Sequence, residues 1–288
     1  MTLTPYTAPA PVPTSRIFHK DIFHGKIVLC SGGGSGICRG MTEALLRHGA
    51  KACIISRNKE RIEKAAKEMS ESTGQEVLGL SADVREPAQV EAAVKATVER
   101  FGKIDILING AAGNFLSPIS DLSYNAFKTV IDIDLRGTFN LTKAALDELK
   151  KSHGTILNVT ATLAYTGTPF QAHAGSAKAA IDAMTKHQAV ELGPFGIRAN
   201  VIAPGPIAST VGMAKLSHKP KDGEAPQPMA IPLGRIGEIR DIEHTTLFLC
   251  SEAACWITGV IIVVDGGCWM TLAPYQYPQL VLNPPSRM

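Results

Sequence analysis

No stretch of this 288-residue chain approaches the roughly 20 consecutive apolar residues of a membrane span, so no membrane-spanning segment is expected. There is no block of basic charge either. Lys and Arg number 29 against 26 Asp and Glu and are spread along the chain, which gives no reason to expect a nucleic-acid partner. The six cysteines (Cys30, Cys38, Cys53, Cys250, Cys255, Cys268) form no Cys-x-x-Cys pair and show no metal-ligand spacing. Among mostly apolar neighbours they read as reduced core residues in a non-oxidising compartment, with no metal expected. The opening segment MTLTPYTAPAPVPTSR is rich in proline but has no apolar signal core, which predicts a flexible arm over residues 1–20.

What is present is enough for one large core. With 45% apolar and 19% charged residues, the rest of the chain reads as a single domain over residues 21–270. Seven short β-branched or apolar runs, KIVLCSGG, KACIISR, EVLGLSADV, IDILINGAAG, GTILNVTAT, IRANVIAPGP and GVIIVVDGG, alternate with longer helical patterns. Runs without polar alternation are buried on both faces, so the expected fold class is α/β. It is a single Rossmann-type, doubly wound, seven-stranded parallel sheet with helices on both faces. Helices are predicted over Lys59–Thr73 and Pro87–Phe101, the latter opening with proline in its first turn. Residues 211–231, VGMAKLSHKPKDGEAPQPMAI, break this rhythm after a strand, where such sheets bind ligands, and are expected to form a substrate lid. Residues 271–288 form a tail ending in Ser286, Arg287 and Met288, a small, basic, aliphatic tripeptide of the kind read by the peroxisomal import receptor.

The first run leads into SGGGSGICRG and then a helical pattern, the setting a phosphate-binding turn requires. Gly32 permits the tight turn, Gly36 lets the backbone approach a pyrophosphate, and Gly34, Ser35 and Ile37 complete the cradle at a helix N-terminus. At the end of the second run, where a binder of a ribose 2′-hydroxyl carries an acidic residue, stand Ser56 and Arg57. A guanidinium pairs with a 2′-phosphate, so the expected cofactor is NADPH rather than NADH. Asp83 ends the third run and is placed to accept from the adenine amino group beside the Val84 amide, while Asn109 to Gly113 offer small residues, Ala111 among them, against which a cofactor can lie.

These motifs, together with IAPGP and VVDGG and in this order, resemble the short-chain dehydrogenase/reductase family from about Gly25 to Trp269. The resemblance implies hydride transfer, a homodimer or homotetramer, and the addition of Pro204, Gly205 and Ile207 to the cofactor-binding residues. Cys38 departs from it by standing where the family usually has its third glycine.

A larger departure lies in QAHAGSAKAAIDAM. Members of the family carry a Tyr four residues before an essential Lys and a Ser 13 residues before the Tyr. Counting back from Lys178 places Ala174 and Ala161 at these positions, and Asp134 stands where the family has an Asn. Without the hydroxyls a carbonyl reduction loses its proton donor. Two readings survive: a cofactor-binding relic acting as a partner subunit, or an enzyme that delivers its proton to carbon.

The stretches NGAAGNFLSP, NAFKTVIDIDLRGTFN and HAGSAKAAIDAMTKHQAVELGP resemble the peroxisomal 2,4-dienoyl-CoA reductase branch of the family, fungal members above all, which also lacks this tyrosine. The resemblance implies reduction of an acyl-CoA substrate by NADPH to a 3-enoyl-CoA in the breakdown of unsaturated fatty acids. A 2-enoyl-CoA reductase of the same family is the alternative enzyme. In such a reaction electrons pass through both double bonds onto the thioester oxygen, and a proton must then reach the α-carbon. Asp134 is the candidate source. Because a neighbouring ammonium favours an ionised carboxyl, a water held between Asp134 and Lys178 is the expected carrier. The family implies that Lys178 also holds the nicotinamide ribose. Asn114 is expected to donate to the thioester or enolate oxygen and Phe115 to line the acyl slot; His173 reads equally as an orienting or a packed side chain.

Overall fold

The computed structural model describes residues 7–210, 212–213 and 231–271. Most of the expected lid over 211–231 and all of Ser286–Met288 lie outside the described residues. Each apolar run forms a strand: β1 (Ile27–Ser31), β2 (Lys51–Ser56), β3 (Val77–Ser81), β4 (Ile106–Asn109), β5 (Thr155–Val159), β6 (Arg198–Pro204) and β7 (Ile261–Val264). They make one parallel seven-stranded sheet in the order β3-β2-β1-β4-β5-β6-β7. Central β1, β4 and β5 are buried throughout, whereas the edge strands β3 and β7 are mostly half-buried, because only the interior strands have a neighbour on both sides.

The helices are α1 (Gly36–Arg47), α2 (Lys59–Thr73), α3 (Pro87–Phe101), α4 (Tyr124–Ile131), α5 (Gly137–Ser152), α6 (Ala172–Leu192), α7 (Ile239–Cys250) and α8 (Cys268–Thr271). Local chemistry sets their ends. Asn58 caps α2 by accepting from the Arg61 N–H at 2.9 Å, and Gly74 closes that helix in the left-handed conformation at φ +70°. One face of the sheet packs on α1, α2 and α7 through Met41, Leu45, Ile62 and Leu247; the other packs on α3, α5 and α6 through Val90, Leu141, Leu149 and Leu192. Truncating a fully buried side chain such as Leu29 or Leu107 to Ala would cost about 2–5 kcal/mol, so the sheet is a firm platform for the loops above it.

Two features were not foreseen from composition. Within the segment expected as a flexible arm, Thr14 is buried with its hydroxyl 3.0 Å from His48 Nε2, Phe18 meets the His48 ring edge-on, and the Ala8 N–H donates to Leu233 O at 2.7 Å. From residue 7 onward this segment is laid on the domain, because the Thr14 hydroxyl finds a buried partner that a Pro-rich composition does not announce. Between α4 and α5 the helix passes through a π turn, Asp132–Arg136. A π turn is rare, and it re-aims the side chains around it. Here it turns Asp134 into the interior.

Candidate active site

The chain leaves β1 toward β2 on one side and returns to β4 on the other, which opens a crevice beyond the carboxyl ends of β1 and β4. The Ser31 hydroxyl draws the two ends together by accepting from the Gly110 and Ala111 N–H groups at 3.1 and 3.2 Å. Gly32 follows at φ +72°, and a Cβ there would stand 2.8 Å from Gly110 O. Cys38 fills the neighbouring space. Its Sγ donates toward Gly110 O at 3.7 Å and would collide with a Cβ at Gly110, so the thiol occupies the room that the two glycines leave. A hydrogen bond with Cys30 holds the Cys38 thiol below its ordinary range.

At the mouth of this crevice a cleft of about 480 Å³ is lined by Gly34, Ser35, Ser56, Arg57, Asn58 and Arg61, with Gly32 at its floor. Arg57 is joined by a second exposed guanidinium, Arg61, which sequence reasoning missed. The signal lay in SRNKER: a basic residue in the first turn of the helix that begins at the crevice. Asp83 already carries partners, since both its oxygens accept from the Arg85 guanidinium at 2.6–3.1 Å, and this pairing holds its carboxyl below the usual range. The Val84 carbonyl accepts from Asn140 at 2.9 Å, and Ala111 lies half-buried on the crevice floor. Asn109 points away from the crevice, its amide donating to Thr142 Oγ1 and Asn158 Oδ1 at 3.1 and 2.9 Å, so what it can offer a ligand is backbone. On the far side, Gly205 donates to Val264 O at 3.0 Å after Pro204 ends β6, and Ile207 is buried in a bridge with Gly237. Ile37 opens α1 beside Gly36.

Deeper in the crevice the structure brings Asp134 and Lys178 together. Asp134 is 1% exposed; its Oδ1 accepts from the Gly113 N–H at 2.7 Å, and its Oδ2 lies 3.1 Å from Lys178 Nζ. That contact is an ion pair rather than an aligned hydrogen bond, and being direct it leaves no room for the water expected between the two side chains. Lys178 Nζ also donates to Val159 O at 3.1 Å, which fixes the ammonium at the end of β5. A π turn and the second turn of α6 thus meet in one buried pair.

The loop after β4 is clamped to the start of α6 at three points. The Ser117 N–H donates to Phe170 O at 2.9 Å, the Asn114 amide donates to Gln171 Oε1 at 2.7 Å, and Phe115 stacks on His173 with centroids 4.3 Å apart. Asn114 therefore keeps one amide N–H and an unpartnered buried Oδ1. His173 is fully buried, and burial holds its imidazole below its ordinary value, that is, neutral. It serves as a stacking platform for Phe115.

Ala174 is buried at the tyrosine position, and Ala161 is half-buried at the serine position. A different tyrosine stands nearby: the Tyr165 hydroxyl donates to Asp182 Oδ2 at 2.7 Å, and its ring meets Trp269 edge-on at 5.8 Å. No sequence spacing pointed to this pair. Among the described residues no cluster of His, Cys, Asp and Glu is arranged to hold a metal ion, and no helix is long and apolar enough to cross a membrane.

A family sequence model described as enoyl-(acyl carrier protein) reductase matches residues 32–269. The chain is similar to the peroxisomal 2,4-dienoyl-CoA reductase [(3E)-enoyl-CoA-producing] of Saccharomyces cerevisiae, 52% identical over 259 residues, 89% of this chain and 88% of the relative. To the protein of the same name in Danio rerio it is 48% identical over 262 residues, 90% of this chain and 86% of the relative. Among solved structures, a short chain dehydrogenase from Bacillus anthracis superposes with a TM-score of 0.76 at 38% identity, covering 87% of this chain and 99% of that one. Levodione reductase does so with 0.79 at 32%, covering 86% and 99%. With the family model matched from the phosphate turn to Trp269 and relatives of such identity, the chain belongs to the short-chain dehydrogenase/reductase family.

Proposed function

We propose that the protein is an NADPH-dependent 2,4-dienoyl-CoA reductase that yields a 3-enoyl-CoA. The observation that carries the reading is a site with no hydroxyl at the tyrosine position and a sealed Asp134–Lys178 pair beside it, in a chain 52% identical to a protein named for this activity. NADPH in the crevice would supply a hydride. Arg57 and Arg61 favour the 2′-phosphorylated form of the cofactor, since two guanidiniums and no carboxylate line the outer cleft. The amides of the Gly32–Ile37 turn and the N-terminus of α1 suit the pyrophosphate.

Hydride arriving at the far end of the conjugated dienoyl thioester drives electrons onto the thioester oxygen. Asn114 offers its remaining N–H to that oxygen, and Phe115, fixed by His173, lines the acyl slot. The α-carbon then takes a proton from a water bound to the Lys178 ammonium beside its direct ion pair with Asp134, and the ammonium replenishes the water. Lys178 anchors the nicotinamide ribose as well. With the site this deep, the enolate meets fixed donors rather than bulk water.

The peroxisome matrix is the proposed location, in keeping with the names of the relatives, with Ser286–Met288 as the address. A homodimer or homotetramer belongs to the same reading, since Phe127 on α4 and Phe139 on α5 are exposed apolar side chains that a second copy would cover. The deciding assay follows NADPH oxidation with a 2,4-dienoyl-CoA, with a 2-enoyl-CoA and with no acyl-CoA. Turnover of the dienoyl thioester alone is expected. Preference for the 2-enoyl thioester would make the protein the alternative reductase, and no turnover of either would make it a cofactor-binding partner subunit.

A further inference from the structure

Each cycle of the proposed reaction draws one proton from solvent, yet Asp134 is 1% exposed and the Lys178 side chain 10%. The pair needs a connection to water. One turn along α6 from Lys178, on the same helix face, stands Asp182, which is 5% exposed. Its Oδ2 accepts the Tyr165 hydroxyl at 2.7 Å, and its Oδ1 has no partner. The buried Thr160 Oγ1 has no aligned hydrogen bond either but stands against the Asp182 carboxyl, and Thr160 directly follows Val159, whose carbonyl holds the Lys178 ammonium. Tyr165 itself is 38% exposed, on the loop after β5.

We propose that Tyr165 and Asp182 form the path by which a solvent proton reaches Lys178, an inference that rests on the dienoyl-CoA reading above. Two orphaned buried oxygens side by side are costly unless they satisfy one another. Asp182 can do that in either protonation state, since the Thr160 hydroxyl can donate to Oδ1 or accept from it while Oδ2 goes on accepting from Tyr165. Burial favours the protonated form by pushing the Asp182 carboxyl above the usual range, against the opposing pull of the Tyr165 and Thr160 hydroxyls and of the Lys178 and Lys186 ammoniums. The protons balance. After the water on the Lys178 ammonium has protonated the α-carbon, the hydroxide left behind takes a proton from that ammonium. The resulting amine takes the carboxyl proton of Asp182. Asp182 then takes the Tyr165 hydroxyl proton as the Tyr165 oxygen receives one from solvent. The net transfer is one proton from bulk water to substrate, with every residue restored. Both residues are positioning groups for the proton and touch no substrate.

The test is pre-steady-state NADPH oxidation by Asp182→Asn with a 2,4-dienoyl-CoA. The first turnover uses the proton already stored on Lys178, so a burst of about one NADPH per site at the parent rate is expected. A slower steady state follows, down roughly tenfold to a hundredfold, at or below the lower end of what a directly acting acid–base group contributes. The solvent isotope effect on the slow phase should rise, NADPH binding should stay unchanged, and Asp182→Glu should restore part of the rate. Tyr165→Phe should show the same burst and carries the test if Asp182→Asn does not fold. Either variant holding the parent steady-state rate, or slowing the first turnover as much as later ones, would overturn the path. A parent protein inactive on the dienoyl thioester would instead sink the functional reading on which the path stands.

Discussion

Asp134→Asn separates the chemical from the structural role of the buried pair. The substitution keeps the shape and lets the amide oxygen go on accepting from Gly113 N–H, but it turns an N–H donor toward the Lys178 ammonium 3.1 Å away. Lys178 loses its counter-charge and keeps only Val159 O. Breaking a buried ion pair on one side costs about 3–5 kcal/mol; with 10% of the Lys178 side chain exposed and one acceptor left, the lower end is expected. The rate should suffer separately. Losing a group that hands on the proton should lower turnover by roughly 10²–10⁴, which is about 2.7–5.4 kcal/mol of activation free energy at 1.36 kcal/mol per tenfold.

Asp134→Asn/Lys178→Met tests whether these two effects are independent. Removing both charges leaves no uncompensated ion, so stability should return to within about 1–2 kcal/mol of the parent while activity stays lost. Denaturant unfolding gives the first quantity and stopped-flow NADPH oxidation with a 2,4-dienoyl-CoA gives the second. Turnover of Asp134→Asn at the parent rate would refute the reasoning: the pair would then be a structural tie.

Four further outcomes are expected. Arg57→Ala and Arg61→Ala should each weaken NADPH about tenfold or more, the lower end for a hydrogen bond to a charged group at an exposed site, and leave NADH nearly unchanged; equal losses for both cofactors in titration calorimetry would remove the cofactor argument. Gly110→Ala should destabilise by about 1–3 kcal/mol through its clash with Cys38 Sγ, and adding Cys38→Ala should recover much of the loss in thermal unfolding. Burial holds His173 neutral, so the unfolded chain binds more protons than the native one and stability should rise with pH through about 6.5; His173→Gln should flatten that part of the curve. Ala174→Tyr should neither rescue Asp134→Asn nor create ketone reductase activity, because a phenol beside Lys178 serves a carbonyl oxygen and the Ser position still holds Ala161; a measurable ketone rate would count against it.

The sheet was legible because each strand lies in a short β-branched or apolar run, and the ends of α2 and α3 because Asn58, Gly74, Pro87 and Gly102 state them chemically. The glycine-rich turn between β1 and α1 was legible for the same reason. What lay hidden depended on contacts between distant segments. The π turn that aims Asp134 inward breaks the 3.6-residue period that pattern reading relies on. Arg85 is already bound to Asp83, Asn109 turns into a buried amide network, and Thr14 ties down the segment before β1. Tyr165 and Asp182, 17 residues apart across a loop, carry no motif at all.

The absent tyrosine and the buried pair follow from one requirement. In the family's usual chemistry a phenol four residues before Lys178 would hand its proton to a carbonyl oxygen next to it. In the proposed reaction the atom to be protonated is the α-carbon, and a group fixed at position 174 would serve the wrong atom. A mobile water does not have that restriction, provided something orients it and refills it. In the proposed reaction Lys178 does both, held in place by its ion pair with Asp134 and by Val159 O. Stability alone gives little reason for the arrangement, because replacing a buried ion pair by an apolar pair of similar volume is often neutral or stabilising. The proposed reaction accounts for a carboxylate aimed inward by a rare π turn against an ammonium held at the end of β5, by giving that pair a proton to manage.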